Sequence, residues 1–471
     1  MNNKFKKISA LFFVVILLFL TSCSSGKQNN ETDFVESYTA ESTEKNTYSD
    51  KISNLPDKDF KNKQFRIATD SSALIFSGNS ESIVGKEYYL RNAAVEKKYN
   101  VKLTLTDESG LPTIGDRVKT EALAGTDYCD LVILSNSTFQ ILAASDTLEN
   151  VRSVPYLNLD ESYYFSNSLE STTLGSYSYG FSGDFIYKPE DCFAVFFNKK
   201  LLKQTQLPDI YQLVHENQWD LENFLIYAEE VFSVMRSQGA KMSGISSEET
   251  KETLINSLWA ATGFPFFINE YGSRPELVYN HEYTDAFISS VKNILFRSSS
   301  FASDTEEALD SFRNSECFFF IAPLSASDKI TGYGVDWGVV PMPKSDINQT
   351  SYYSYLDSGF LYAGFSKGTA DLTFSGMITS ALFCASEGLN QKLKVQTYLN
   401  LYLNSEKDAE MMQKIIETPY YDCAQFFEQT SSSFPAVTQT LLFRVISSEG
   451  DFQTLYSQYS ILLNKFLDSK I

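Results

Sequence analysis

Asp130-Leu131-Val132-Ile133-Leu134 is an apolar run behind one carboxylate, and it ends in the polar loop Ser135-Asn136-Ser137. A run this short, bounded by turn residues, reads as a buried strand. Two segments of the same kind precede it. Gln64-Phe65-Arg66-Ile67-Ala68-Thr69-Asp70 reads as a strand ending at a polar loop, and Val101-Lys102-Leu103-Thr104-Leu105 alternates as a strand does. Helical spacing lies between them. Tyr89, Leu90, Ala93, Val95 and Tyr99 give a helix over Glu87 to Tyr99 with Asn100 as its stop, and Thr113 to Ala124 reads as a helix ended by Gly125. Strands alternating with helices predict a parallel α/β sheet. Ligands of such sheets bind beyond the carboxyl ends of the strands. Asp70 and the Ser135-Asn136-Ser137 loop therefore share one rim.

Downstream, Phe193 to Phe197 reads as a buried strand and Asn198 to Leu202 opens a helix. Asp220, after Trp219, is placed to cap a further helix. Helices are expected over Glu252 to Ala261, which carries Trp259, over Glu282 to Phe296 and over Ser303 to Phe312. Strands are expected at Cys317 to Ile321, broken by Pro323, at Trp337 to Val340, and at Phe360 to Phe365; Asp371 to Leu467 reads as mostly helical. No repeat of 20–50 residues is seen.

The amino terminus has a different character. Lys4, Lys6 and Lys7 precede an apolar run from Ile8 to Leu20 interrupted only by Ser9, and Leu20-Thr21-Ser22-Cys23 follows. This is the layout of a secretory signal, and it is too short for a membrane span. Its end resembles a bacterial lipobox, which implies diacylation of Cys23 and removal of residues 1–22. Two acyl chains anchor stably where one does not. The Ser-, Thr- and Asn-rich stretch over residues 23–60 reads as a disordered tether.

Removing residues 1–22 takes away three lysines and no acid, so the formal charge moves from −20 to −23. That balance argues against nucleic acid and against polybasic docking on membranes. After Cys23, the cysteines at 129, 192, 317, 384 and 423 are odd in number and scattered. They form neither a disulfide framework nor a metal signature, and read as small buried hydrophobes with room for one disulfide. The two histidines, His215 and His281, share no metal spacing, and no hydrolase or phosphate-loop motif occurs.

Five stretches in this order resemble the extracellular solute-binding lipoproteins of carbohydrate-type ABC importers, the maltose-binding-protein-like group. They are Asp130 to Leu134 with Phe139 to Val151, Ala194-Val195-Phe196-Phe197-Asn198-Lys199-Lys200-Leu201-Leu202, Trp219-Asp220-Leu221-Glu222, Phe312 to Pro323, and Tyr333 to Lys344. The resemblance covers residues 62–440, with Asn314 and Ala322 departing from glycines common in the family. It implies a type II, two-lobed α/β fold of the periplasmic-binding-protein kind. Lobe one is expected from residues 62–188 plus 325–385 and lobe two from 193–320 plus 386–471, crossing near Tyr187–Asp191 and Ile321–Ala326. It implies hinge closure around a small solute, ABC permease partners, an extracellular or periplasmic monomer on a lipid anchor, no cofactor, no metal and no catalysis.

A sugar pocket needs flat apolar faces and planar polar groups. By position the candidates are Asp70, Ser135, Asn136, Asp184, Asp191, Trp259, Tyr352, Tyr353 and Asp357. Trp219 and Trp337 are expected in the core. The alternative from another class is a lipid-anchored glycan-degrading enzyme or glycan adhesin, working through a carboxylate pair.

Overall fold

The computed structural model describes residues 47–76, 82–106, 113–278, 281–302, 307–357, 359–401, 405–427, 441–447 and 451–470. The signal segment, Cys23 and the tether up to residue 46 lie outside the described residues. The first described element comes earlier than expected. Helix α1, Thr47–Lys51, and Ile52, only 1 % exposed, pack into the core, so the part of the tether region beyond Thr47 is built into the fold. Tyr48 Oη donates to Glu87 at 2.6 Å, which fixes this segment to the next helix.

The first sheet follows the expected alternation. It contains β1 (Lys63–Thr69), α2 (Ile83–Tyr99), β2 (Val101–Leu105), α3 (Ile114–Ala124), β3 (Leu131–Ser135) and α4 (Asn136–Ala144). Local chemistry sets the helix ends. Ser82 and Thr113 cap α2 and α3 by accepting from Gly85 N and Asp116 N, and Asn100 and Gly125 stop them in the left-handed region at φ 49° and 66°. β2, β1 and β3 run parallel, as expected. Helix α5 (Ser166–Ser171) and a small hairpin, β4 (Thr173–Leu174) with β5 (Tyr177–Ser178), come before the chain leaves this sheet.

The second sheet is built from β6 (Phe193–Asn198), β7 (Ser243–Ser246), β10 (Cys317–Pro323) and β11 (Trp337–Pro341). Between β6 and β7 lie α6 (Lys199–Leu202), α7 (Ile210–His215) and α8 (Leu221–Ser237), the last capped by Asp220 as expected. Between β7 and β10 lie α9 (Lys251–Ala261), the hairpin β8 (Phe267–Ile268) with β9 (Glu276–Leu277), α10 (His281–Lys292) and α11 (Ala308–Arg313). Part of the helix expected over Ser303 to Phe312 falls outside the described residues. Strand order is β11-β6-β10-β7, with β6 antiparallel to both neighbours.

This order corrects the expected division of the chain. Residues 325–385 were assigned whole to the first lobe, but Trp337–Pro341 pairs with β6, Val339 opposite Phe196. The chain therefore does not cross at Ile321–Ala326. It crosses after β11 and reaches the first sheet only at β12 (Leu361–Gly364), antiparallel to β3. Helix α12 (Leu372–Ala385) then packs on α2, and α13 (Leu389–Leu401) and α14 (Glu406–Ile416) follow, the latter against β11. A second correction concerns residues 386–471. Helix α15 (Cys423–Phe427) packs on the first sheet's elements: the Phe426 ring lies 5.1 Å from Tyr362 and 6.3 Å from Phe139. The described chain ends in α16 (Phe443–Ile446) and α17 (Phe452–Lys470).

The cysteines at 129, 192, 317, 384 and 423 are buried and free. Trp219 and Trp337 are buried, as expected. Trp219 is the largest fully enclosed side chain; its Nε1 donates to Pro341 O at 2.8 Å and its ring meets Phe224, Tyr227 and Phe319 edge-on. Trp219→Ala leaves a cavity and an unmet carbonyl. Urea titration should show a loss of roughly 3–5 kcal/mol; a loss below about 1 kcal/mol would mean that this cluster does not hold the second sheet.

Candidate functional site

At the carboxyl ends of β1 and β3 the structure brings Asp70 and Ser135 together. Ser135 donates from N at 3.1 Å and from Oγ at 2.8 Å to Asp70 Oδ2. The neighbouring Asn136 is buried, its backbone N bonded to Phe360 O at 2.8 Å. Its Oδ1 has no hydrogen-bond partner among the described residues. The rim that strand order predicts is thus present, and Asn136 leaves an acceptor on it unmet.

Three chain segments join the sheets side by side. Residues 191–193 run antiparallel to 355–357: Phe193 N donates to Tyr355 O at 2.9 Å and Asp357 N to Asp191 O at 2.8 Å. Residues 418–420 lie on the other side, where Ser354 N donates to Thr418 O at 3.0 Å and Tyr420 N to Ser354 O at 2.8 Å. Two sequence candidates, Asp191 and Asp357, therefore face each other at this junction. Asp191 is 8 % exposed and pairs with Lys188 Nζ at 3.0 Å, and Lys188 also donates to Gly359 O at 2.8 Å. Burial pushes the Asp191 carboxyl up to about 6, with Lys188 opposing. Tyr353 is half-buried and lies so close over Gly263, itself at φ +67°, that a Cβ there would collide with the ring. Tyr352 is buried, with its hydroxyl toward Val214 O at 3.4 Å, and takes a packing role.

Two candidates have other work. Asp184 accepts from Gly388 N at 2.9 Å and Gln391 Nε2 at 2.6 Å, so its carboxylate holds the start of α13. Trp259 is 4 % exposed, stacked on Phe266 at 4.5 Å and edge-on to Phe287 at 5.0 Å. Among the described residues its Nε1 has no hydrogen-bond partner, nor has Asn256 Oδ1 one turn earlier on α9. Buried polar atoms of this kind call for a partner such as water or a ligand.

A cavity of about 490 Å³ opens beside the β8–β9 hairpin, and none of the sequence candidates lines it. Its walls come from three places. Arg152, Asn167 and Glu170 belong to the first sheet's side, residues 265–271 to the β8–β9 hairpin, and residues 421–423 to the third crossing segment. The hairpin is a strap. Asn269 Nδ2 donates to Glu170 O at 2.7 Å, Gly272 N (φ 82°) donates to Gly175 O at 2.9 Å, and the Arg152 guanidinium sits 4.4 Å over the Tyr271 ring. Its far side is tied to α17 through Arg274 and Asp468 at 2.7 Å. Arg152 Nε is held by Ser178 Oγ at 2.9 Å. Glu170 is raised by burial, with Arg152 opposing. Asp422 is consumed by Phe266 N, Ala424 N and Tyr420 Oη.

The strap and Tyr421 escaped the sequence reading. Phe266-Phe267-Ile268-Asn269-Glu270-Tyr271-Gly272 carries a hairpin signal, and Pro419 breaks the helix-rich tail just before Tyr420-Tyr421-Asp422.

Among the described residues no group of three His, Cys, Asp or Glu is arranged for a metal, and no helix is long and apolar enough to cross a membrane. The sequence model of one family, described as bacterial extracellular solute-binding protein, matches residues 92–422, more than two-thirds of the chain. The chain belongs to that family, the solute-capturing components of ABC importers. No curated protein matches it.

Asn269→Ala removes the two side-chain bonds from the strap to Glu170 O and Thr173 O. At roughly 1 kcal/mol each net, amide exchange at Gly272 should quicken by about tenfold or more. An unchanged rate would show that the strap is held elsewhere.

Proposed function

We infer, from membership in the bacterial extracellular solute-binding proteins, that this chain captures a carbohydrate, a sugar or short oligosaccharide, by closure of two lobes and passes it to a membrane permease. The observation that carries the reading is the cavity of about 490 Å³ with walls from the first sheet's side, the β8–β9 hairpin and residues 421–423. That volume is within the range of small-molecule pockets and suits more than one sugar ring. Its walls combine the aromatic faces of Phe267, Tyr271 and Tyr421 with Arg152, Glu170, Asn167 and Asn269. Sugars need that mixture of flat apolar surface and planar polar groups. The rim at Asp70, Ser135 and Asn136 and the junction at Asp191 and Asp357 would extend the same site along the cleft. Family members are in general non-enzymatic, which favours capture over the glycan-degrading alternative.

The lobes in this reading are the bodies around the two four-stranded sheets, and the three crossing segments form the hinge. Cys23 carries the acyl chains, the chain works as a monomer outside the cytoplasm, and tethering keeps the loaded protein at high effective concentration near its permease.

A thermal-shift screen of the mature chain against mono- and oligosaccharides, with amino acids, peptides and polyamines included, tests the ligand. A ligand at about 100 times its Kd stabilises by roughly 2.7 kcal/mol, a rise of several degrees. Arg152→Ala and Tyr271→Ala should each remove at least half of that rise. Shifts with peptides or polyamines alone would keep capture and discard the sugar. For the anchor, Cys23→Ala should abolish palmitate labelling and release the protein from membranes; continued labelling would refute acylation at this cysteine.

A further inference from the structure

We propose that Asp191 makes the junction of the crossing segments pH-sensitive, acid favouring the packed arrangement described here over any arrangement that opens Asp191 to water. The proposal rests on the reading of those segments as a hinge.

The geometry places one carboxylate where the two halves are stitched. Asp191 joins 355–357 through its own carbonyl, which accepts from Asp357 N at 2.8 Å. Its side chain meets Lys188 at 3.0 Å, and the same ammonium reaches Gly359 O on the opposite crossing. Lys188 is thus a staple between two crossings, and Asp191 sits at its foot. The other charges around Asp191 come from every element packed there. Glu190 shares its segment and pairs with Lys394 of α13 at 3.7 Å; Lys392 lies on the same helix. Asp357 faces it from the second crossing, and Glu249, beyond the end of β7, faces Asp357. Tyr421 of the third crossing feels the Asp191 charge and keeps its phenol protonated. Leu324-Ser325-Ala326, packed on the same turn, brings no ionisable side chain.

Burial is the largest influence on Asp191, ahead of Lys188, and it pushes the carboxyl from 3.8 up to about 6. A raised carboxyl means that the packed state holds the proton more tightly than a solvated state does. Packing is therefore favoured as pH falls below about 6 and loses that contribution as pH rises through it. Glu249 is raised in the same direction, by burial and then by Asp357, and adds to the effect. With an ordinary carboxyl in the opened state, the packed-to-opened ratio grows about tenfold between pH 7.5 and pH 5.

The test uses the full mature chain with Cys23→Ser and an introduced cysteine pair at the exposed Thr120 and Gln238, one on each side; the other five cysteines are buried. Spin labels on the pair report the distance distribution. The expected result is an increase of about tenfold in the packed-to-opened ratio from pH 7.5 to pH 5. Asp191→Asn should keep only the smaller response that Glu249 supplies, and Glu190→Gln should keep the response with its midpoint moved to lower pH, because a neighbouring negative charge is gone. Lys188→Met should move the midpoint to higher pH, because the opposing positive charge is gone. A flat response in the unaltered chain, a response of full size in Asp191→Asn, or an unmoved midpoint in Lys188→Met would each overturn the proposal. If a saccharide shortens the distance while pH does not, only this proposal falls; if neither changes it, the hinge reading falls too.

Discussion

Backbone hydrogen bonding between the crossing segments is the constraint on which the molecule depends. The three segments run together through a largely buried place, and a buried peptide group without a partner is costly. Pairing satisfies the N–H groups of Phe193, Ser354, Asp357 and Tyr420 at once. It also sets the side chains by alternation. Cys192 and Leu356 lie opposite each other and buried on one face, while Asp191 and Asp357 are paired on the other and brought into electrostatic contact. The acidic character of the junction is a consequence of how the strands are stitched. Separate acquisition of each residue need not be invoked.

The first sheet was legible because its pattern is local. Each strand is an apolar run, each helix has a cap and a stop within a few residues, and parallel order follows from alternation. The second sheet was less so. Trp337–Pro341 looks the same from sequence whether it joins one sheet or the other; only its pairing with Phe193–Asn198, more than a hundred residues away, decides. That one non-local pairing moved the second crossing from Ile321–Ala326 to the stretch before Leu361. The packing of Phe426 on Tyr362 has no local signal either, and sequence alone does not reveal that α15 meets the first sheet's elements.

The candidate site shows the same division. Asp70 and Ser135 could be read because strand ends are visible in sequence, and they do meet. Asp184 could not be excluded, since its partners Gly388 and Gln391 lie two hundred residues downstream. The strap was hidden because its strands are two residues each and its importance lies in what it touches. Its bonds to the first sheet fall on main-chain carbonyls of Glu170 and Gly175. Such contacts leave little trace in the acceptor's residue types.

The strap also gives capture a physical basis. A ligand shifts a conformational equilibrium only by binding one arrangement better than the other. Arg152 and Glu170 lie on one side of the cavity; Phe267, Asn269 and Tyr271 lie on the other, on an element that itself spans the gap. A solute filling the space touches both walls in this arrangement. The Arg152 guanidinium over Tyr271 couples the walls without ligand, but that contact is partly solvated and worth only about 0.5–1 kcal/mol. The hydrogen bonds of Asn269 and Gly272 hold the strap more firmly than that contact does.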